Sequence, residues 1–562
     1  MDEYRRWLDS PVLSEAQRAE LRALEHDERE RDDRFYRTLA FGTAGLRGVM
    51  GMGLNRMNEY VIRQATDAFA RVLLAAGTAK QGVCICCDCR LNSRFFAEEA
   101  AHVLRCRGIP VYLFAAPRPT PELSFAVRRL RAAAGINVTA SHNPKEYNGY
   151  KVYWSDGAQL PPDKAALVAA EMARIDVLAP RPEPQGELET LTVLDAPFDD
   201  EYIRAVLRCA VDPALARESD LRIVYTPFHG VGGAITPQVL RQLGFRNLWC
   251  VEEQMAPDGT FPTLPSPNPE DPRGFALAER LGREVGADIL VATDPDADRV
   301  GIAVRDGDGN YVPVTGNRTG ALLTHYLLSA GARTGALPEN PALIQTIVTT
   351  GLSKAIAREA GAACFETFTG FKYMAEKLGE LEEEGKYHYI MAYEESYGYM
   401  IGEHARDKDG VVASLLLCEM AAWYKSRGMT PLDGLRDLWQ KHGCYAEETV
   451  SVMLPGADGM KRMARVMAAL RAQPPAAFGP LTAETLRDHL SGRDSAGAPV
   501  SPAGMDVLNW QLAGGSRLVV RPSGTEPKLK LYALARGTDP AGTEKLAHAL
   551  ALAAKAVIDG IE

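Results

Sequence analysis

Small and β-branched apolar residues run from Ala132 to Val138 and then give way abruptly to Thr139-Ala140-Ser141-His142-Asn143-Pro144. Such a short apolar run predicts a buried strand, and the Asn-Pro pair predicts the turn that ends it, lifting Ser141 out at the strand's end. Upstream the same rhythm repeats. Apolar runs at 83–87 and 111–114 alternate with helical spacing at 95–107 and 121–131, and 148–153 reads as a further strand leaving a turn. This βαβ alternation predicts an α/β domain whose ligands lie at the carboxyl ends of strands. Before it, residues 14–37 are dense in Glu, Arg and Asp with Leu21, Leu24 and Phe35 at helical spacing, which predicts one or two amphipathic surface helices.

A second βα set starts at 221–227 and 247–251 and culminates in the apolar run 288–293. A third starts at 342–350 and reaches 389–393, followed by a helical run at 411–424. A Pro- and Glu-rich stretch at 179–186 reads as a surface excursion near the end of the first domain. The C-terminal part differs, with strands expected at 449–454, 517–520 and 529–535 and helices at 460–471 and 544–558. No internal repeat is legible in the sequence.

Composition narrows the class. A chain of 562 residues suggests three to five domains at roughly 100–200 residues each. Its 46% hydrophobic and 24% charged content is that of an ordinary globular protein. The net charge of −10 argues against non-specific nucleic-acid or membrane binding, so an anionic ligand requires locally clustered Arg and Lys. The first residues lack an apolar signal core and no apolar run approaches the ~20 residues of a spanning helix, so a cytoplasmic protein is expected. Cys84, Cys86, Cys87 and Cys89 lack the paired spacing of a zinc site and read as reduced core thiols.

Four stretches carry candidate chemistry. Beside Ser141, the strand at 148–153 would hold Lys151 as a candidate acid or base, against the plainer reading of an exposed strand lysine. The run 288–293 ends in Asp294-Pro295-Asp296-Ala297-Asp298-Arg299, where i, i+2 and i+4 side chains project together. Three converging carboxylates repel unless a cation neutralises them, and hard oxygen ligands suggest Mg²⁺. A calcium loop is excluded because Arg299 and Arg305 stand where it needs Gly and Glu. The third set ends in Glu394-Glu395-Ser396, suited to accept hydrogen bonds from sugar hydroxyls, or else to cap a helix. Arg521-Pro522-Ser523-Gly524-Thr525, followed by Lys528 and Lys530, collects donors for a phosphate dianion. The Gly-rich segment 41–48 presents Arg47 but is no P-loop, because no Gly-Lys-Ser/Thr follows.

Together these stretches resemble the α-D-phosphohexomutase family over essentially the whole chain: its phosphoserine motif at 139–144, its Asp-x-Asp-x-Asp-Arg at 294–299, its Glu-x-Ser at 394–396 and its phosphate loop at 521–525. Segments 41–48 and 88–93, with Arg56-Met57-Asn58, look most like the phosphoglucomutase branch, which also contains phosphopentomutases. The resemblance implies three similar α/β domains with mixed sheets and a smaller C-terminal α+β domain around a central cleft, with boundaries expected at 1–205, 206–322, 323–440 and 441–562. It implies an intramolecular phosphotransferase that interconverts glucose 1-phosphate and glucose 6-phosphate through a phosphoserine and glucose 1,6-bisphosphate. Ser141, His142, Lys151, Arg299 and Lys408 are the implied catalytic residues, and Arg47, Lys372, Glu394, Ser396 and His404 the substrate-binding ones. Arg521, Ser523, Gly524, Thr525 and Lys530 would hold phosphate, and Asp294, Asp296, Asp298 and the seryl group one Mg²⁺ per site. The partners expected are sugar phosphates, with no nucleic acid and no membrane, for a monomer or weak homodimer. Which of the lysines, or His142 or His404, moves the hydroxyl proton stays open. A phosphopentomutase, a phosphomannomutase, a metal-dependent phosphatase with an aspartyl nucleophile and a non-catalytic sugar-phosphate binder are the rival readings.

Overall fold

The apolar runs of the three βα sets all enter sheets in the computed structural model, which describes residues 2–42, 45–454, 458–523 and 527–561. The chain forms two compact units, Met1–Val314 with Tyr397–Ser426, and Thr315–Ser396 with Arg427–Glu562.

In the first unit, β1 (Leu46–Val49), β2 (Val83–Cys87), β3 (Val111–Phe114), β4 (Ala134–Val138), β5 (Tyr147–Trp154) and β6 (Leu191–Leu194) form one sheet in the order β1-β5-β4-β2-β3-β6. Strands β3, β2 and β4 are parallel and β5 runs antiparallel beside β4. A second sheet holds β7 (Arg222–Thr226), β8 (Asn247–Cys250), β9 (Ile289–Thr293), β10 (Val300–Arg305) and β11 (Tyr311–Val314) in the order β11-β10-β9-β7-β8. Here β8, β7 and β9 are parallel and β10 is antiparallel to β9. In the second unit, β12 (Pro341–Thr346) lies between β13 (Ala363–Thr367) and β14 (His388–Glu394), again parallel.

The three sheets share one plan: the first strand of each set is central, the second flanks it on one side and the third on the other. Each third strand, β4, β9 or β14, runs straight into one of the polar motifs. All positions of β2, β4 and β9 are buried, as expected for parallel strands covered on both faces. That double burial is why they read as continuous apolar runs.

The short β15 (Gly398–Met400) belongs to the first unit, where Gly398 bridges Arg299, and leads to the helix Gly410–Lys425. The C-terminal sheet of the second unit is antiparallel and contains β16 (Cys444–Met453), β17 (Ala477–Phe478), β18 (Leu481–Asp488), β19 (Arg493–Asp494), β20 (Leu508–Leu512), β21 (Arg517–Pro522) and β22 (Lys528–Gly537). The helices Gly459–Ala472 and Pro540–Asp559 accompany it, so the part is α+β. The expected strand at 529–535 lies inside β22, and that at 449–454 covers the C-terminal half of β16 and Leu454 just beyond it; the two strands pair from Cys444 opposite Gly537 to Met453 opposite Lys528.

At the N-terminus the expected surface helices are Glu15–Arg22 and Glu28–Phe35, joined by an unforeseen helix Glu3–Leu8 whose Trp7 is fully buried. The 17-residue helix Glu59–Ala75, capped by Asn58 through Val61 N–H, also lay outside the sequence-based expectations. Cys84, Cys86 and Cys87 are buried free thiols, and burial pushes the Cys87 pKa up to about 12. Among the described residues no helix is long and apolar enough to cross a membrane.

Candidate functional site

Ser141 leaves β4 in a left-handed conformation, φ 51°, and is 3% exposed. A serine held at positive φ is held there by its surroundings. Its backbone N–H donates to Thr139 Oγ1 at 2.9 Å. The loop beyond it is closed by Arg90, whose guanidinium donates to the carbonyls of Ser141 at 2.5 Å, Pro144 at 2.8 Å and Tyr147 at 3.0 Å, and also to that of Asn143. Arg90 is itself buried, ion-paired with Asp88 at 3.3 Å and stacked over Phe261. Gly149 of β5 lets the strand pass close by, since a Cβ there would meet the Thr139 carbonyl oxygen at 2.4 Å.

The Ser141 hydroxyl donates to Asp294 Oδ2 at 2.7 Å and lies 3.2 Å from His142 Nδ1. Asp294, Asp296 and Asp298 are completely buried, and one oxygen from each falls within 4.8 Å of the others. The loop that carries them turns at Ala297, another left-handed residue with φ 52°. Asp294 Oδ1 accepts the backbone N–H of Asp298 at 3.1 Å and of Arg299 at 3.0 Å. Asp296 Oδ1 and Asp298 Oδ1 are buried without a hydrogen-bond partner. Orphaned carboxylate oxygens in a dry site are costly, and three hard oxygen donors facing one point fit a divalent cation such as Mg²⁺.

Electrostatics agree. Burial, and then the charges of Asp296 and Asp298, push the Asp294 carboxyl well above the usual carboxylate range. Asp296 moves the other way: burial opposes ionisation, but the Lys151 ammonium and then Lys408 hold its pKa below the ordinary value. Lys151 Nζ lies 2.8 Å from Asp296 Oδ2 and 3.4 Å from Asp298 Oδ2, and Lys408 Nζ 2.8 Å from Asp298 Oδ2. Burial works against the charged form of both lysines, yet the adjacent aspartates raise both pKa values, so they stay protonated. Lys408 is steadied by Asp407, which also accepts from Tyr153 Oη and Gln159 Nε2, each at 2.9 Å. Burial, then the Arg299 and Arg47 charges, hold the His142 pKa down to about 2, so this imidazole is neutral.

Arg47 of β1 donates to Asn143 Oδ1 at 3.0 Å and so lies against the serine loop. The Arg299 guanidinium pairs with Glu270 at 2.8 Å, while its backbone N–H serves the acidic loop. His404 departs from its expected substrate-binding role. Its Nε2 meets Asp409 Oδ2 at 2.8 Å and its Nδ1 faces Cys209 Sγ at 3.8 Å, so both ring nitrogens are engaged inside the fold. Asp409 caps the helix Gly410–Lys425 through the N–H groups of Val411 and Val412. Gly410 N–H donates to Ala297 O at 3.0 Å, and a Cβ at Gly410 would meet that oxygen at 2.7 Å. The cap therefore fixes the acidic loop from behind.

The second unit gathers the remaining candidates. Glu394 ends β14, accepts the Gly370 N–H and takes a 3.2 Å hydrogen bond from Ser396 Oγ. Burial, and then Glu394, push the neighbouring Glu395 carboxyl up to about 7 against the nearby Arg521 and Lys530 charges. Arg521 of β21 stands directly opposite Lys530 of β22 in register, and its Nε donates to Tyr532 Oη at 3.2 Å. Lys372 is half-buried over the Tyr373 ring, and desolvation lowers its pKa. Ser523 N–H donates to the Lys528 carbonyl at 2.9 Å, whereas Gly524 and Thr525 lie outside the described residues. Arg517, not anticipated, ties β21 to the loop after β12 through the Ile347 and Thr349 carbonyls at 3.0 and 2.8 Å.

Of the residues the sequence reading missed, Arg90 and Asp407 matter most. Each has one partner close in sequence, Asp88 or Lys408, but its other partners lie far away in the chain. A charged residue just past the end of the buried strand β2 was the available signal for Arg90.

A serine oxygen against a buried acidic triad with two fixed ammonium groups, on repeated α/β sheets, belongs to the class of sites that move phosphoryl groups. Residues 38–178, 200–307 and 315–442 match phosphoglucomutase/phosphomannomutase alpha/beta/alpha domains I, II and III, and residues 503–553 match the C-terminal domain of the same proteins. The chain belongs to the phosphoglucomutase/phosphomannomutase family, the α-D-phosphohexomutases. It is 37% identical over 511 residues, 90% of each chain, to a phosphoglucomutase of Staphylococcus aureus (strain bovine RF122 / ET3-1). Its fold is similar to a phosphoglucomutase/phosphomannomutase family protein from Burkholderia thailandensis, at 22% identity and TM-score 0.67 over 93% of this chain and 98% of that one. It is also similar to the open form of parafusin, a phosphoglucomutase from Paramecium, at 18% identity and TM-score 0.68 over 93% and 95%.

Proposed function

We propose that this chain interconverts glucose 1-phosphate and glucose 6-phosphate, with Ser141 as the carried phosphoryl group's attachment point and glucose 1,6-bisphosphate as the intermediate. The observation that carries the reading is the 2.7 Å contact of Ser141 Oγ with Asp294, in a triad whose other two members keep an unpaired oxygen. The 37% identity to a phosphoglucomutase over 90% of each chain supports glucose as the sugar.

Asp294, Asp296 and Asp298, with an oxygen of the seryl phosphate, would hold one Mg²⁺, which supplies positive charge to the phosphoryl oxygens when bound. Lys151 and Lys408, kept protonated by their aspartates, act as fixed positive charges rather than as bases. As the bond from phosphorus to Ser141 Oγ breaks, the bond to the sugar hydroxyl oxygen forms; the hydroxyl's proton ends on Ser141 Oγ, which leaves as the free seryl hydroxyl, and little covalent work falls to other side chains. The neutral His142 lies within hydrogen-bond distance of Oγ without adding charge there. Glu394 and Ser396 would read sugar hydroxyls, and Arg521, Lys530 and the Ser523 loop would hold the phosphate not being transferred. In the second half-reaction Ser141 takes the other phosphate back. An aspartyl nucleophile at Asp294 finds less support, since both its oxygens are already engaged.

Mass spectrometry of the purified protein should place phosphate on Ser141. A coupled assay with trace glucose 1,6-bisphosphate should give the highest kcat/KM on glucose 1-phosphate among the glucose, mannose and ribose 1-phosphates. Phosphate on Asp294 overturns the mechanism; preference for ribose or mannose overturns the sugar alone.

A further inference from the structure

One buried hydrogen-bond line, built from residues so far unassigned, ends on the acidic triad. Thr120 opens the helix Thr120–Leu130 and is completely buried. Its hydroxyl donates to Asp296 Oδ2 at 2.8 Å, and its backbone N–H, one of the donors a helix start leaves unsatisfied, donates to the Asp296 carbonyl at 2.9 Å. The same hydroxyl oxygen accepts from Asn137 Nδ2 at 2.6 Å. Asn137, also fully buried, stands on β4 two positions before Thr139, whose hydroxyl receives the Ser141 N–H. The direction of the line is fixed by chemistry, because the amide nitrogen can only donate and the ionised carboxylate can only accept.

Asp296 Oδ2 thus receives both the Thr120 hydroxyl and the Lys151 ammonium, while Oδ1 is left buried with no partner. An ammonium attracts a carboxylate from a wide range of angles; a hydroxyl that is itself oriented by an amide fixes the plane of the carboxylate. We infer that Thr120, oriented by Asn137, is a positioning residue that turns Asp296 Oδ1 toward the divalent cation and ties the serine-bearing strand to the acidic loop. The inference rests on the cation-assisted reading of the site given above. Groups behind metal ligands commonly change metal affinity by ~10–100-fold when removed.

The test is Mg²⁺ titration calorimetry on the full-length protein, with Mn²⁺ electron paramagnetic resonance as an independent reading of the bound ion. Thr120→Val keeps the shape and removes the hydroxyl, and should weaken cation binding by about 10-fold or more. Thr120→Ser, which keeps the hydroxyl, should bind within about 2-fold of the unaltered protein, a rescue that a packing role does not predict. Asn137→Ser, remote from the ion, should weaken binding by several fold, and it supplies the measurement should Thr120→Val fail to fold. Unchanged affinity in Thr120→Val or, should that variant fail to fold, in Asn137→Ser, overturns the inference, as do equal losses in Thr120→Ser and Thr120→Val. If Asp298→Asn abolishes binding while Thr120→Val does not weaken it, the positioning role falls and the site reading stands. If the unaltered protein binds no divalent cation, both fall.

Discussion

The loops that follow β9 and β14 occupy the same place in two copies of one sheet plan, yet they are built to opposite specifications. After β9, three aspartates are completely buried and locked by backbone N–H groups and two ammonium ions. After β14, Glu394 and Ser396 are half-buried and held by one backbone N–H and each other. A loop that stabilises developing charge gains by being dry and immobile, because electrostatic interactions weaken steeply in water. A loop that reads hydroxyls must be open to its ligand, so part of its hydrogen-bonding capacity stays exposed. On the function proposed above, one strand-end position serves two kinds of chemistry, and burial separates them.

The sharpest way to break the comparison is at the sealed end. Ser141→Ala should fold normally, show no covalent phosphate by mass spectrometry and lose mutase turnover by at least about 10³-fold; turnover near that of the unaltered protein removes the serine from the mechanism. Asp298→Asn keeps the side chain's shape but takes a charge from the triad, and kcat should fall by roughly 10²–10³-fold with weaker Mg²⁺ activation. If the loss appears in KM for the sugar alone, the acidic loop belongs with recognition and the contrast with β14 collapses.

The scaffold behind the sealed loop is read by pH. Burial alone would lower the His404 pKa, but its hydrogen bond to Asp409 and the neighbouring Cys209 raise it to about 9. A folded-state pKa above the ordinary 6.5 means the pair stabilises the fold fully below pH 6.5, and the gain is lost as pH rises through about 9. Urea denaturation should show up to about 3 kcal/mol of that pH dependence disappearing in His404→Gln. An unchanged pH profile in the variant would place the source of the slope elsewhere. The smallest effect is expected at the open end. Glu394→Gln keeps the shape and weakens acceptance of hydroxyl protons, so KM for glucose 1-phosphate should rise about 10-fold with kcat changed less. A kcat loss matching that of Asp298→Asn would show that both loops do the same work.

The strands β4, β9 and β14 and the motifs at their ends were legible because burial on both faces writes an uninterrupted apolar run and polar residues interrupt it sharply. β18 was not, since Leu481-Thr482-Ala483-Glu484-Thr485 alternates at an only partly buried surface. The line from Asn137 to Thr120 to Asp296 was invisible for another reason: its links span 17 and 176 residues, and no local pattern encodes such distances. His404 misled in the reverse direction. It sits in a polar stretch that reads as a loop facing ligand, whereas the fold turns its ring inward to Asp409. The left-handed residues Ser141, Ala297 and Tyr397, one in or just beyond each of the three motif loops, carry no glycine to announce them.

Arg90 has a consequence for how the serine loop tolerates variation. Its guanidinium grips main-chain carbonyls at positions 141, 143, 144 and 147 and no side chain of that loop. The path of the backbone is therefore enforced largely independently of the residues strung along it, and the exposed Lys145 and Glu146 can be exchanged while the chain keeps its course, whereas Asn143 also holds Arg47. In a saturation library positions 145 and 146 should accept broad replacement, and position 90 almost none.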